Sequence, residues 1–275
     1  MSLIPFCIYM KTFPDFIKGE IVWEILIRLP VASLAKFKSV SKAWHAIISD
    51  PIFVREHLQC SKQKQDRKAP SFIISPLVLL DPGPPMRFAT NVRLYQWRLE
   101  EDMKSEAELI YGRHFRPGEF GPVCSMAHCD GLVLLPTNTK AYVFNPITKD
   151  AIALPASKRN KMQYHRPLPT GLGFDASTGK YKVARSFYRS RHYTAEVVKM
   201  GMEVFTINGE EGKWRETVVD PPFPILNSQT GTHVNGCLFF FIDKNNHQRP
   251  PQGLLRFSLK DETFGVTPLL PNIYP

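Results

Sequence analysis

The segment from Phe13 to Leu58 constrains the fold most, because its apolar residues recur at helical spacing three times in quick succession. The first set of apolar residues lies within 21–29, the second within 34–40 and the third within 44–48. Apolar side chains at this spacing form a stripe along one face of a helix. The pattern therefore predicts three short helices, followed by one more turn over residues 52–58.

Residues that end or cap helices lie between these apolar sets. Pro30 is expected to end the first helix, and Asp50-Pro51 is expected to end the third. Ser33 and Ser41 are predicted N-caps of the second and third helices, because a serine hydroxyl can accept a hydrogen bond from a backbone N–H of the first turn. A bundle of about 40 residues is near the lower size limit for a stable domain. Apolar surface should therefore remain exposed for a partner.

The same segment resembles an F-box of the plant type between Glu24 and Phe53. The order, spacing and chemical types agree with that family in five motifs, at residues 24–26, 28–31, 33–34, 37–44 and 48–51, together with Phe53. The resemblance implies docking onto the Skp-type adaptor of an SCF ubiquitin ligase and, through it, onto a cullin. It also implies which residues contact the adaptor: Ile25, Leu29, Pro30, Leu34, Val40 and Trp44.

The start of the first helix departs from the F-box pattern. Most F-boxes carry Leu-Pro-Asp-Asp or a similar sequence there, whereas this chain has Ile17-Lys18-Gly19-Glu20. The proline that favours a helix start and the aspartate that caps it are both missing, and Gly19 adds backbone entropy. A weakened N-terminal edge of the docking surface is therefore expected.

The composition changes after this segment. Residues 59–69 are mostly polar, which predicts a linker or a solvated extension of the preceding helix. From residue 70 onward, short apolar runs alternate with clusters of Pro, Gly, Asn and Asp, which predicts a mostly β region. The expected organisation is an α+β multidomain chain with an irregular lead-in over 1–12, a three-helix F-box over 13–58, a linker over 59–69 and a β domain over 70–275.

The β region contains a loose repeat of strands joined by short turns. The repeats begin near Asp130, Gly171 and Val234, and a period of about 40 to 60 residues is typical of β-propeller blades. Four motifs in this order resemble the F-box-associated domain of plant proteins, and they lie at Cys129–Leu132, Asn145–Thr148, Gly173–Val183 and Asn235–Phe240. This resemblance covers about residues 70 to 271. It implies a propeller-like domain that captures a substrate. The residues after the linker suffice for roughly five blades at about 40 residues each, so a propeller that is short, irregular or open at its last blade is expected.

Positive charge is concentrated in one part of the β region. The chain has 35 Lys and Arg residues against 25 Asp and Glu residues, and residues 156–199 alone contain ten basic and two acidic side chains. The stretch also contains aromatic rings, a combination that suits an acidic protein or a single-stranded nucleic acid. The alternative is that Lys180, Lys182 and their neighbours are simply the solvated outer face of strands. The candidate target-binding residues are Lys158, Arg159, Lys161, Arg185, Arg189 and Arg191.

Catalytic motifs are absent from the sequence. It contains no GxSxG elbow, no HExxH, no P-loop and no GxGxxG after a strand, which predicts a non-catalytic subunit without a cofactor. Cys124, His128 and Cys129 form the only tight group of metal-ligand types. A structural zinc site needs four ligands, so we predict no metal site and expect Cys129 to be a buried residue at the start of a strand.

The most apolar run, Cys237–Ile242, is too short to form a membrane-spanning helix, which needs about 20 apolar residues. The expected location is the cytoplasm, the nucleus or both. Two functions remain open at this stage. One is a substrate adaptor of an SCF-type ligase. The other is a β interaction protein that binds an acidic partner or, as a lesser alternative, nucleic acid through residues 156–199 without docking onto a ligase.

Overall fold

The computed structural model describes residues 19–65, 71–75, 79–81, 87–88, 90–98, 107–116, 119, 126–137, 140–159, 168–189, 198–210, 212–227, 229–244 and 251–269. Within these residues, four helices come first along the chain and seventeen strands follow. The predicted fold class, a small helical region followed by a mostly β domain, is confirmed. The chain divides into two compact units, residues 1–74 with 94–110 and residues 75–93 with 111–275.

The helical region consists of α1 (Gly19–Leu26), α2 (Val31–Phe37), α3 (Lys42–Ser49) and α4 (Pro51–Gln65). Three of these helices were predicted, but α4 is 15 residues long where a single further turn was expected. The polar residues after position 58 continue the helix as far as Gln65. Lys and Gln are good helix formers and no Gly or Pro interrupts them before Pro70.

Four helix boundaries were predicted, and two of them agree with the structure. Helix α1 already ends at Leu26, and a turn over residues 27–29 separates it from Pro30. The Ser41 hydroxyl accepts a hydrogen bond from the Trp44 N–H at 3.1 Å, which makes it the N-cap of α3. Asp50 ends α3 in an extended conformation, as the residue before a proline prefers, and its side chain accepts a bond from the Ile52 N–H. The prediction that Ser33 caps α2 is wrong. That helix begins at Val31, directly after Pro30, whose carbonyl accepts bonds from the Ser33 and Leu34 amides.

The four helices share a small apolar core. Its buried members are Val22, Leu26, Leu34, Ile48 and Phe53. Two pairs of rings pack edge to face around it, Trp23 on Phe53 at 5.0 Å and Phe37 on Trp44 at 5.2 Å between centroids. Such aromatic pairs add about 0.5–1.5 kcal/mol each beyond the area that they bury, and they compensate in part for the small size of this bundle.

Two small sheets follow the helices. Strands β1 (Ser71–Ile74), β4 (Asn91–Arg98) and β5 (Glu108–His114) form a three-stranded sheet in the order β1-β4-β5. Strand β2 (Leu79–Asp81) pairs with β3 (Arg87–Phe88) in the antiparallel sense.

Three groups of four antiparallel strands make up most of the second unit. The first comprises β6 (Ala127–Cys129), β7 (Leu132–Pro136), β8 (Ala141–Asn145) and β9 (Asp150–Ala153). The second comprises β10 (Thr170–Asp175), β11 (Lys180–Tyr188), β12 (Met200–Thr206) and β13 (Arg215–Glu216). The third comprises β14 (Thr230–Val234), β15 (Cys237–Phe241), β16 (Gly253–Ser258) and β17 (Phe264–Pro268). These groups correspond to the three repeats predicted from the sequence.

The second and third groups join into one eight-stranded sheet through a short parallel pairing of β10 with β14. The pairing places Gly171 opposite Gly231. A Cβ atom on Gly231 would lie 2.6 Å from the ring of Phe240, which is buried in the core. The absence of a side chain at Gly231 therefore leaves room for the Phe240 ring of the neighbouring strand β15 to pack against β14.

Apolar side chains fill the spaces between neighbouring groups. Leu172 and Val183 of the second group pack in one cluster with Leu134 and Val143 of the first. A separate cluster joins the second group to the third, and its members include Met202, Val204, Leu238, Phe240, Leu255 and Phe257. The second group is thus apolar on both faces. Stacked groups of this kind support the propeller-like architecture that the repeats predicted.

Among the residues that the structure describes, no helix is both long enough and apolar enough to cross a membrane.

Candidate functional site

The first helix is apolar on two faces. Val22 and Leu26 point into the helical core, whereas Ile21 and Ile25, one turn apart, are 52% and 51% exposed. An exposed pair of isoleucines on a helix this short is apolar surface that the bundle itself does not bury. The groove along this face is lined by Glu20, Ile21, Glu24, Ile25, Arg28 and Leu29.

Charged side chains border this groove. Glu24 and Arg28 lie one turn apart on α1 and form an ion pair of 2.5 Å with both side chains largely exposed. An exposed pair of this kind contributes about 0–1 kcal/mol to stability. Its relevance is positional, because an apolar centre with a polar rim is the usual composition of a protein–protein interface.

The predicted adaptor contacts differ in exposure. Pro30 and Val40 are exposed, and Leu29 and Trp44 are partly buried against the helical core. Leu34 is only 4% exposed and belongs to the core itself. Leu34 is therefore part of the core against which the partly buried side chains of Leu29 and Trp44 pack. A direct contact between Leu34 and the adaptor remains a prediction.

In the structure, Arg159 and Arg189, two of the candidate target-binding residues of the basic stretch, form ion pairs with acidic side chains of the β domain. Lys161 and Arg191 lie outside the described residues. Arg159 forms an ion pair of 2.6 Å with Glu216, and Arg189 pairs with Glu216 at 2.8 Å and with Asp220. The hydrogen bond to Asp220 raises the pKa of Arg189, and the bond from Arg189 lowers the pKa of Glu216. These acidic partners lie outside residues 156–199, so a count restricted to that range overstates the free positive charge.

Arg185 is a buried cation and not a surface residue. Its Nη2 atom lies 2.5 Å from Oε1 of Glu203, and both side chains are at most 5% exposed. The Ser157 hydroxyl donates to the second oxygen of Glu203 at 2.6 Å, and the guanidinium lies over the Trp214 ring at 4.4 Å. Burial lowers the pKa of Arg185, while the Glu203 carboxylate opposes that change. An arginine held in this way is unavailable to a target protein.

Lys182 is also buried, which corrects the expectation that it is solvated. Its side chain is 7% exposed, and its Nζ atom lies 2.8 Å from Asp175 and 2.6 Å from the carbonyl of Leu259. Burial of the Asp175 carboxyl raises its pKa, but hydrogen bonds from Lys182, Ser177 and Thr178 outweigh this and hold the pKa far below its usual value. Lys182 thereby connects the β10–β11 turn to the end of β16.

The low pKa of Asp175 makes a pH dependence testable. Above about pH 5 this carboxyl is ionised in both the folded and the unfolded chain, so its contribution to stability is fully present. As the pH falls through the unfolded pKa of about 3.9, the unfolded chain takes up the proton first and the contribution is lost. We expect the wild-type chain to lose stability more steeply than Asp175→Asn between about pH 5 and about pH 3. Urea unfolding at stepped pH values measures the two slopes, and parallel slopes would contradict the expectation.

The sulfur and imidazole groups near residue 129 do not form one ligand set. Cys124 lies outside the described residues, His128 is exposed and Cys129 is buried on the opposite side of β6. Cys129 was expected at the start of a strand, but it is the last residue of β6. Its sulfur lies 3.3 Å from Nδ1 of His233, which comes from β14. In the described part of the chain, no group of three or more His, Cys, Asp or Glu side chains is placed to hold a metal ion.

Comparison with protein families assigns both parts of the chain. Residues 20–56 match the F-box domain, and residues 96–273 match the F-box associated beta propeller domain. The second match alone covers well over half of the chain. The chain belongs to the F-box associated β-propeller family. The helical region is thus an F-box, and the three groups of four strands lie within the F-box associated domain.

Similar full-length proteins come from Arabidopsis thaliana. F-box protein At1g52495 is 24% identical over 250 residues, which cover 89% of this chain and 55% of that protein. F-box/kelch-repeat protein At3g23880 is 25% identical, with coverage of 82% and 58%. F-box protein At3g07870 is 25% identical, with coverage of 90% and 59%. The chain therefore spans little more than half the length of these curated relatives.

The sequence did not point to two residues that contact the F-box surface. His57 lies in α4 with its Nε2 atom 2.8 Å from the carbonyl oxygen of Leu29, and Lys64 lies with its Nζ atom 3.3 Å from the carbonyl oxygen of Arg28. Both carbonyls come from the segment that links α1 to α2. The sequence contains one indication of the role of His57, because His57 follows the apolar Phe53 by four residues and so lies on the same face of the helix. Its partner, however, is 28 residues away in sequence.

Proposed function

We propose that this chain is a substrate-recognition adaptor of an SCF-type ubiquitin ligase. In this proposal the F-box docks onto a Skp-type adaptor, and through it onto a cullin, while the F-box associated domain holds a target protein. The exposed apolar face of α1, continuous with Leu29 and Pro30, carries the proposal. This face lies in a domain whose family membership is established, and the described residues of the F-box leave it uncovered.

Burial of the exposed apolar side chains would contribute to the energetics of such a contact. Burial of an apolar side chain the size of isoleucine or leucine is worth about 1.5–3 kcal/mol. Three such side chains on one face, Ile21, Ile25 and Leu29, offset a substantial part of the cost of association. The chain itself would supply proximity and orientation, and other subunits would carry out the transfer of ubiquitin. We accordingly propose a non-catalytic role.

The alternative, a β interaction protein that acts through residues 156–199, receives less support. Arg159, Arg185 and Arg189 all have acidic partners within the β domain. Lys158 and Lys199 are exposed, and neither has an ion-pair partner among the residues that the structure describes. We therefore propose Lys158, and not the buried Arg185, as a candidate contact for an acidic target. Binding through such exposed charges would weaken steeply with salt.

A binding measurement with the purified Skp-type adaptor tests the main proposal. We expect the wild-type chain to retain the adaptor and the double variant Leu29→Ala with Pro30→Ala to bind it at least about tenfold more weakly, because apolar contact area is lost at the end of the groove. Far-UV circular dichroism checks that the helices of the variant remain folded. Failure of the wild-type chain to bind, or equal binding by a folded double variant, would overturn the proposed function.

A further inference from the structure

The C-terminal half of α4 contacts the proposed docking segment although it lies beyond the F-box match. That match ends at residue 56, whereas α4 continues to Gln65. His57 places Nε2 2.8 Å from the carbonyl oxygen of Leu29, and Lys64 places Nζ 3.3 Å from the carbonyl oxygen of Arg28. A carbonyl oxygen can only accept a hydrogen bond, so Nε2 of His57 bears the hydrogen atom and is the donor.

The two carbonyls lie in the segment that links α1 to α2, and their hydrogen-bond donors come from α4. Helix α1 ends at Leu26. Beyond it the hydrogen bonds span three residues, from the Arg28 amide to the Ile25 carbonyl and from the Leu29 amide to the Leu26 carbonyl. The carbonyls at the end of a helix have no partner within it. Pro30, the next residue, has no N–H group, and the first amides of α2 bond to the carbonyl of Pro30 itself. Side chains of α4 therefore bond to the two carbonyls that precede Pro30.

The imidazole of His57 is itself held in place. Only 7% of the residue is exposed, and its ring stacks on Phe53 with centroids 6.0 Å apart and an interplanar angle of 23°. Phe53 in turn packs against Trp23 of α1, whose Nε1 donates to Glu56 at 3.2 Å. The Leu29 carbonyl is thus tied, through α4, to the same helix that carries Ile21 and Ile25. This arrangement fixes Leu29 and Pro30 relative to the groove.

We infer that His57 is a positioning residue that preorganises the Leu29–Pro30 segment for the Skp-type adaptor. The inference rests on the proposed function as far as the adaptor is concerned. A segment that is already held in its bound conformation loses less freedom on association, so the complex is tighter. The contribution of His57 is made through the backbone of Leu29, without a contact between His57 and the adaptor.

Three variants separate positioning from general stability. His57→Leu removes the donor and keeps an apolar side chain of similar bulk, whereas His57→Gln keeps an N–H donor near the position of Nε2. Ile48→Val is the matched control, because Ile48 is buried in the same core and its apolar side chain cannot donate a hydrogen bond to the Leu29 carbonyl. His57→Asn, whose amide is too short to reach the carbonyl, replaces His57→Leu if that variant does not fold.

The first measurement needs no adaptor. Amide hydrogen exchange of the free chain reports on Ser33 and Leu34, whose N–H groups bond to the carbonyl of Pro30. We expect exchange at these two amides to accelerate about tenfold in His57→Leu relative to the rest of the bundle, and to stay close to wild type in His57→Gln. Uniform acceleration over all four helices, or no change at Ser33 and Leu34, would overturn the inference.

The second measurement is the affinity for the purified adaptor by titration calorimetry. We expect His57→Leu to bind about tenfold more weakly, and His57→Gln and Ile48→Val to remain within about threefold of wild type. If Ile48→Val loses as much affinity as His57→Leu, the role of His57 is only structural and the inference fails. If the wild-type chain does not bind the adaptor, the proposed function fails, while the exchange measurement still decides whether His57 positions the segment.

Discussion

Ile25→Glu is expected to weaken binding of the Skp-type adaptor by about 100-fold or more. The substitution removes an apolar side chain whose burial is worth about 1.5–3 kcal/mol and places a carboxylate in the middle of an apolar contact. Ile25 is 51% exposed in the free chain, so the F-box itself should remain folded. Titration calorimetry with the purified adaptor measures the effect, and circular dichroism monitors the helices.

Val218→Glu is the matched control for this experiment. Val218 is fully exposed and belongs to the β domain, so the same change in charge and polarity is introduced in the other unit of the chain. It should leave adaptor affinity within about twofold of wild type, because a surface substitution away from the interface affects neither folding nor contact. Wild-type affinity in a folded Ile25→Glu variant would show that α1 is not the docking face.

The sequence predicted those features of the F-box that depend on near neighbours along the chain. The Ser41 cap and the Asp50-Pro51 boundary rest on contacts within three residues, and both were correct. The start of α2 was misplaced, because Pro30 is well suited to precede a helix and made a serine cap unnecessary. The length of α4 was underestimated, since its second half has no apolar stripe and depends on helix propensity together with contacts such as His57 to Leu29.

The basic stretch shows where sequence reasoning is limited. The ten basic residues of 156–199 looked like one charged surface, because the acidic partners of Arg159, Arg185 and Arg189 are not neighbours in sequence. Glu203 lies on β12, Glu216 on β13 and Glu262 between β16 and β17. Strand register, which the sequence does not reveal, brings Arg185 directly opposite Glu203. The expectation that Lys182 lies on the solvated outer face of its strand also failed. This side of β11 is covered by the turn that contains Leu259 and Glu262.

Two basic side chains, Lys182 and Arg215, connect neighbouring parts of the β domain. Lys182 links β11 of the second group to the end of β16 and the following turn in the third group. Arg215 of β13 pairs with Glu262 of the same turn. Lys182 and Arg215 therefore stabilise the joint between two groups of strands. Contacts with a target are more readily made by the exposed turns, which are held in place by these joints.

Glu203→Ala is expected to lower the free energy of unfolding of the β domain by about 3–5 kcal/mol. The variant leaves the Arg185 guanidinium buried without its counter-ion and removes the acceptor of the Ser157 hydroxyl. Urea unfolding followed by tryptophan fluorescence measures the loss. Glu210→Ala, which removes an exposed carboxylate from the same domain, should change stability by no more than about 0.5 kcal/mol.

The double variant Arg185→Met with Glu203→Leu distinguishes a buried charge from a simple loss of packing. Replacement of both partners by apolar side chains removes the uncompensated charge, and such exchanges are often neutral. We therefore expect the double variant to recover most of the stability that Glu203→Ala loses and to lie within about 1 kcal/mol of wild type. A double variant as unstable as Glu203→Ala would mean that the fold depends on the ion pair itself, because removal of the isolated charge would then have restored nothing.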